Sequence, residues 1–486
     1  MSRTTTSASY PLRTQRRGRQ AAFLSSFLLA VTLPSLLAAQ EPGSYGHYEV
    51  YDIDLPPRAE YAARRARARA AMPKGSAMLL RSADVRNRSN DVDYEYRQRN
   101  SLLYLSGVTE QESALLLLPE MTVIGGVKVD EILFVRKRDE AEETWTGILM
   151  GPDVAADVTG IATTLPYDEM ESTLTSLMPT ITTLYYDDWL ADELVEPLIG
   201  VEIEWDDLFE EAIEEMGGRV RIVRANEIID PLRAIKSPTE IALLQRAVDI
   251  SIEAHRATIR AAEPGDAEYE MEATMEYTFR ALGAEDPGYP SIVGSGPNTC
   301  ILHYSTNRRR TEAGDLVLMD CGAEYHGYSA DITRTFPVSG RFTKEQRAIY
   351  DLVLRAQSEA IAKCRDGASF FDPHVTAAGI IADGLVELGI MREGDDVSRY
   401  FMHGTSHYLG LDVHDVAPTF KLAAGMVLTV EPGIYIPEGS PCDEKWWNIG
   451  VRIEDDIVVT DGEPLNLSAK LERTAGEIEA LMEERE

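Results

Sequence analysis

The sequence predicts an α+β protein in two parts. A smaller mixed α/β domain runs over residues 45–225, and a larger domain over 232–486 consists of two helix–helix–strand halves related by a pseudo-twofold. Three observations carry this reading. Two helix-start signatures, Ser237-Pro238-Thr239-Glu240 and Thr343-Lys344-Glu345-Gln346, stand 106 residues apart. Two strand strings, GDLVLMDCG from Gly314 and GMVLTVEPG from Gly425, align without a gap 111 residues apart. Ahead of both, short apolar runs alternate with helical stretches, as in a mixed sheet.

The 486 residues leave room for two or three domains, and 44% apolar content is ample for large cores. A net charge of −34 argues against nucleic acid or an anionic membrane as partner. At the N-terminus, Arg13, Arg16, Arg17 and Arg19 precede an apolar run from Ala21 to Ala39, with a small-residue cleavage point at Ala38-Ala39-Gln40. This is the layout of a secretory signal over residues 1–39. Ser25, Ser26, Thr32 and Pro34 make the run a poor membrane span. The Arg16-Arg17 pair leaves the twin-arginine and general export routes both open. Cleavage after Ala39 removes five arginines and no acid, taking the charge from −34 to −39, and places the mature protein in the periplasm or outside the cell.

Pro56 to Met72 reads as a helix, with Arg64, Arg65, Arg67 and Arg69 as its solvated face. Ser76 to Arg81, Leu102 to Leu105, Ser113 to Leu118 and Glu131 to Val135 read as strands. No catalytic constellation falls in this part. Pro231 and the Lys236-Ser237-Pro238 turn mark the boundary. Ser237 as N-cap, Pro238 at the first helical position and Glu240 at the third open a helix, with Ile241, Leu244, Val248, Ile252 and Ile259 at helical spacing. Thr343 opens its counterpart, running to about Cys364. Asp266 and Asp372, again 106 apart, open the second helices. Past these the offset becomes 111: Gly314 pairs with Gly425, Gly322 with Gly433, His303 with His414, and Asp320 with Glu431.

The chemistry collects at that seam. Leu316 to Met319 reads as a buried strand closed by Asp320, and a second strand carries Asp331. FMHGTSHYLGLDVHD holds His403, His407 and His414, VEPGIYIP holds Glu431, and VRIEDDIVV holds Glu454. Singly, each has an ordinary reading as a turn cap or satisfied polar group. Together, four carboxylates and one imidazole suit a pair of divalent cations, because four crowded acids repel and raise one another's pKa unless countered. Oxygen-rich ligation favours Mn²⁺ on hardness, with Zn²⁺, Co²⁺ and Fe²⁺ as alternatives. Four cysteines (Cys300, Cys321, Cys364, Cys442) lack metal spacing and are too few for a disulfide framework. Cys321 reads as a small buried hydrophobe, and a bridge among the other three stays open.

These strings resemble the pita-bread metallopeptidases, and most closely the aminopeptidase P family, whose members release the N-terminal residue from peptides with proline second. The resemblance extends to YEYRQRNSLLYLSGVTEQESALLL in the N-terminal part and to PLNLSAKLERTAGEIEALM at the end. It implies Asp320 as ligand of one metal, Asp331 and Glu454 as bridging ligands, and His407 and Glu431 completing the other. It also implies attack by a hydroxide bridging the two metals, with Glu431 as proton shuttle. His303, His403 and His414 would line the substrate pocket, with Arg452 and Tyr435 beside it. A homodimer or homotetramer is the expected assembly.

Two positions depart from the family pattern. NSLLYLSG carries Leu102 and Leu103 where relatives often have an acid, and Arg308-Arg309-Arg310 stands where relatives tend to be acidic. That triplet reads as a solvated turn or as a contact for acidic peptide tails. Trp145 reads either as an ordinary core residue or as reaching a neighbouring subunit's pocket. Prolidase, the same chemistry confined to dipeptides, is the nearest rival. GTSHYLG and DITRTFPVSG lean away from it. Creatine hydrolases and methionine aminopeptidases rank lower, and an inactive peptide-binding relative would have lost a ligand.

Overall fold

The computed structural model describes residues 43–187 and 220–484. The expected signal segment therefore lies outside the described residues.

In the N-terminal part, helix α1 (Arg58–Ala71) covers a six-stranded sheet. Its strands are β1 (Ser76–Arg81), β2 (Ala114–Ile124), β3 (Val127–Val135), β4 (Thr164–Pro166), β5 (Thr183–Tyr186) and β6 (Arg221–Arg224), in the order β6-β5-β1-β2-β3-β4. β1, β2 and β3 are antiparallel neighbours, while β5 and β6 add in parallel on one side and β4 on the other. The β2–β3 turn is Gly125-Gly126, both at positive φ (56° and 85°), which suits a tight hairpin whose twist matches its strands.

Two expectations fail here. Leu102 to Leu105 belongs to a helix, Asn100–Ser106, closed by Gly107 at φ 72° with its N–H on Leu103 O. A four-residue apolar run cannot distinguish a strand from a buried helical turn, and the left-handed glycine cap decides for helix. Arg64 and Arg65 are not a solvated face, since each is 1% exposed. Arg64 donates to Tyr104 O at 3.0 Å and pairs with Glu60 and Glu240, while Arg65 donates to Leu105 O and pairs with Glu131. Long aliphatic stems let both cross the apolar layer while their heads meet carboxylates.

The C-terminal part shows the duplication. α2 (Pro238–Ala261) and α3 (Glu268–Ala281) form the first helical pair, and α4 (Lys344–Ile361) and α5 (Asp372–Glu387) the second. Both capping boxes close alike: the Ser237 and Thr343 hydroxyls each accept from the third helical N–H at 3.2 Å, and Glu240 and Gln346 return the bond at 2.9 Å. Such caps are worth about 1 kcal/mol each. Asp266 does not open α3, which begins two residues later. Its carboxylate accepts from Glu263 N, just as Asp372 accepts from Ser369 N, so the repeat lies in the turn and not in the helix start.

Two antiparallel strand sets follow. In the first half β7 (Ile292–Ser295), β8 (Leu316–Asp320) and β9 (Thr333–Pro337) lie side by side in that order. In the second, β10 (Val427–Val430) pairs with β13 (Asp455–Val458), and β11 (Gly433–Ile436) with β12 (Ile449–Arg452). β8, β9, β10 and β13 are buried throughout, which fits the apolar runs of β8 and β10, whereas β9 and β13 bury Thr333, Arg334, Thr335, Asp455 and Asp456 among them. Asp331 is not on a strand but two residues ahead of β9. The backbone is pinned on both sides of it, by Ala330 N on Ala323 O and Cys321 N on Ile332 O. A Cβ on Gly322 would fall 1.8 Å from Ala330 O, so only glycine permits this close approach.

Candidate metal and substrate site

The ends of these strands bring the predicted acids together. Asp320 closes β8, Glu431 follows β10, Glu454 lies between β12 and β13, and Asp331 sits on the bend before β9. His407 is carried by the loop hydrogen-bonded to β10, where it donates its N–H to Thr429 Oγ1 and accepts from Thr429 N. Asp331, His407 and Glu454 place ligand atoms within 4.8 Å of one another. His407 Nε2 lies 3.3 Å from Asp331 Oδ2 and 3.6 Å from Glu431 Oε1. Its Nδ1 is 3.1 Å from Tyr408 O, so that nitrogen is the donor and Nε2 is left facing the acids.

Electrostatics show why this cluster needs a cation. Burial, then the repulsion of Asp331, Glu431 and Asp320, pushes Glu454 well above the usual carboxyl range. Burial and Asp320 raise Asp331, and burial lifts Glu431 to about 7. Burial opposes charge on His407, but Asp331 and Glu431 lift its imidazole to about 9. Protons thus occupy positions that divalent ions suit better. An oxygen-rich donor set with one imidazole, 1–8% exposed at Asp320, Asp331 and Glu454, fits divalent metal.

Neighbouring groups orient the acids. Arg452, 3% exposed, donates through Nη2 to Asp320 Oδ2, through Nη1 to Tyr435 OH at 3.0 Å, and through Nε to Thr333 Oγ1 at 3.1 Å. Thr333 in turn donates to Glu454 Oε2 at 2.6 Å. Tyr289 OH stands 2.6 Å from both Asp320 Oδ1 and Asp331 Oδ1. Buried Asp456 accepts from Asp331 N at 3.1 Å. Tyr289, Thr333 and Asp456 were missed by sequence reasoning. Tyr289 looks like part of a Pro-Gly turn, Thr333 like a β-branched strand residue, and Asp456 like a solvated acid after Glu454.

The other predicted residues surround this cluster. His403 Nδ1 lies 2.7 Å from Gly404 O and 3.6 Å from Glu431 Oε2, and its Nε2 lies 2.8 Å from Tyr435 OH. Burial and Arg452 hold its imidazole down to about 4. His414 packs edge-on against His407, ring centroids 4.4 Å apart, with His303 close enough that both neighbouring imidazoles depress it after burial does. Cys321 is fully buried as expected, and all four cysteines are free, so no bridge forms. Trp145 is 89% exposed, which removes its core reading. Arg308 and Arg310 are exposed, but Arg309 is tied to Asp315 and Ser295, so the triplet is only in part a solvated turn.

Residues 242–461 match the family model described as metallopeptidase family M24, and residues 61–185 match the one described as aminopeptidase P, N-terminal domain. The Xaa-Pro aminopeptidase of Escherichia coli is 38% identical over 437 residues, which is 87% of this chain and 98% of that protein. Among solved structures, the aminopeptidase PepP of Pseudomonas aeruginosa superposes with a TM-score of 0.81 at 35% identity, covering 88% of this chain and 98% of that one. E. coli aminopeptidase P with the inhibitor Pro-Leu gives 0.79 at 36% identity, with the same coverage.

Proposed function

This chain belongs to metallopeptidase family M24, and from that premise we propose that it is a metal-dependent Xaa-Pro aminopeptidase, releasing the first residue of peptides with proline second. The observation that carries the reading is the cluster of four acids and one imidazole with three further histidines around it. Asp320, Asp331, His407, Glu431 and Glu454 would hold two divalent ions, with Mn²⁺ favoured. Bound there, the ions would polarise the scissile carbonyl and make water a nucleophile at neutral pH.

The chain's own groups do the rest. Glu431, whose two oxygens each lie 3.6 Å from an imidazole, His407 on one side and His403 on the other, is placed to take a proton at one carboxylate oxygen and pass it to the departing proline nitrogen. Thr333 and Arg452 fix the orientation of Glu454 and Asp320. His403 has both ring nitrogens engaged, so its part is to shape the pocket beside Tyr435. Donation to the carbonyl oxygen falls to His414, edge-on to His407, and to His303 near it. A dedicated site suits proline because its nitrogen has no N–H and its ring fixes φ.

We place the mature protein outside the cytoplasm, reading residues 1–39 as a cleaved leader; N-terminal sequencing of exported protein beginning near Gln40 would support this. Exposed Trp145 and Ile148 support an assembly of several copies, which sedimentation would read.

The direct test compares an Xaa-Pro-Xaa peptide with an Xaa-Pro dipeptide on Mn²⁺-loaded protein, with Asp331→Ala as control. Release of the first residue from the longer peptide, lost in the variant, is expected. Cleavage of the dipeptide alone would move the assignment to prolidase. Cleavage of neither would leave a peptide-binding relative.

A further inference from the structure

His414 sits in a loop, residues 409–415, that begins two residues after the metal-donor His407. Its backbone is tied by Leu409 N on Val427 O, Asp415 N on Tyr408 O, Gly410 N on Asp412 O and Ser329 N on Gly410 O. The side-chain hydrogen bonds that hold it come from outside the duplicated strands. From the N-terminal part, Asn100 Nδ2 donates to Asp412 Oδ1 at 2.6 Å and to Leu411 O at 3.2 Å, and Arg97 Nη2 donates to Leu411 O at 2.8 Å. Arg97 also holds Asn100 Oδ1 at 3.0 Å, which fixes the amide's orientation. From the connecting segment, Arg233 bridges Asp412 and Asp415, and Lys236 Nζ meets Asp415 Oδ2 at 2.8 Å. Lys236 and Asp415 side chains are each 1% exposed, so this pair is shielded from salt and solvent. A Cβ on Gly410 would fall 2.1 Å from Asp415 Oδ2, so the loop closes directly onto the pair.

We infer that Asn100 and Arg97, acting with Arg233 and Lys236 through Asp412 and Asp415, are positioning residues for His414, so that the N-terminal part takes a share in catalysis within its own chain. None of the four touches the acid cluster. What they fix is the distance from the His414 ring to the His407 edge, and hence where a donor meets the substrate carbonyl. This gives a task to the NSLLYLSG segment, whose leucines replace the acid expected there: Asn100, at the head of that helix, reaches the loop in cis. The inference rests on the peptidase reading above.

The test uses the full metal-loaded protein and Asn100→Ala, a partly exposed site whose loss leaves the core intact. Hydrogen exchange is followed at the amides of 409–415, and kcat/KM is measured on an Xaa-Pro-Xaa peptide in wild-type and His414→Ala backgrounds. Faster loop exchange is expected, with kcat/KM lowered about fivefold, the worth of one such bond, in the wild-type background and not further in His414→Ala. Asp412→Ala should behave alike. Unchanged exchange would overturn the latch. Faster exchange with unchanged kcat/KM, or a loss that adds in full to that of His414→Ala, would overturn the positioning role and leave ordinary interdomain packing. An inactive wild type would instead sink the peptidase reading, and the exchange comparison would still decide the latch.

Discussion

Thr333→Val tests whether orientation of Glu454 governs metal affinity. The substitution keeps the β-branched shape on β9 and deletes one hydroxyl. That hydroxyl donates to Glu454 Oε2 at 2.6 Å and accepts from Arg452 Nε at 3.1 Å, with Glu454 1% and Arg452 3% exposed. In the metal-free protein burial and the neighbouring acids push Glu454 well above the usual carboxyl range, which favours its neutral form and lessens its need of the donor. The cost there is about 1 kcal/mol, for one buried bond to Arg452. With metal bound, Glu454 must be an oriented carboxylate, and loss of such a supporting bond typically weakens metal about 10- to 100-fold, or roughly 1.4–2.8 kcal/mol. Affinity should therefore suffer more than metal-free stability. Calorimetric titration of Mn²⁺ into metal-free protein, beside its thermal unfolding, reads both. Thr333→Ser should restore both. Affinity within twofold of wild type, with a lowered melting temperature, would refute the reasoning and make Thr333 a packing residue only.

Two further outcomes follow from the same structure. Without metal, His407 at about 9 and Glu431 at about 7 both stand above their ordinary values of 6.5 and 4.5. Each therefore contributes stability that is complete below its unfolded pKa and lost as pH rises through its folded one, so metal-free protein should weaken between about pH 4.5 and 9. Metal competes with those protons, so the rise in melting temperature on adding Mn²⁺ after chelation should grow across that window; a flat or shrinking rise would contradict this origin. Arg64→Ala should destabilise by about 3–5 kcal/mol, because it strands Glu240 at 2% exposure without its cation. A change under 1 kcal/mol in chemical unfolding would mean water reaches that pair.

What could be read from the sequence divides along one physical line. Capping boxes, glycine turns and strands buried on both faces are written locally, and Ser237, Thr343, Gly314 and Gly425 behave as their patterns require. The acids were legible because each lies at or beside the end of a buried strand, where an ionised group is costly without a partner. Their supports were not, because Thr333, Tyr289 and Asp456 meet the acids only through tertiary contacts and carry residue types ordinary for a strand or turn. Leu102 to Leu105 failed for a similar reason, since four apolar residues fit either element and only Gly107 breaks the tie.

The pairing registers show what the duplication does for the site. Met319 pairs with Arg334 across β8–β9, and Val430 with Asp455 across β10–β13. With Met319 equivalent to Val430, Arg334 is equivalent to Asp455, Thr333 to Glu454, and Asp331 to Arg452. The outgoing strands kept an acid at one position, Asp320 and Glu431. The return strands diverged into partners of complementary chemistry, and each equivalent position now serves the other half. Arg334 meets Asp455 at 2.8 Å with both side chains fully buried, Thr333 meets Glu454, and Arg452 meets Asp320. A symmetric pair of halves would have set like charges against each other across the axis, since Asp455 repeated in the first half would face itself. Among the described residues, divergence instead leaves Asp331, Glu431 and Glu454 as the site acids with no ion pair to an arginine, together at the seam. That is where a shared cation has most to neutralise.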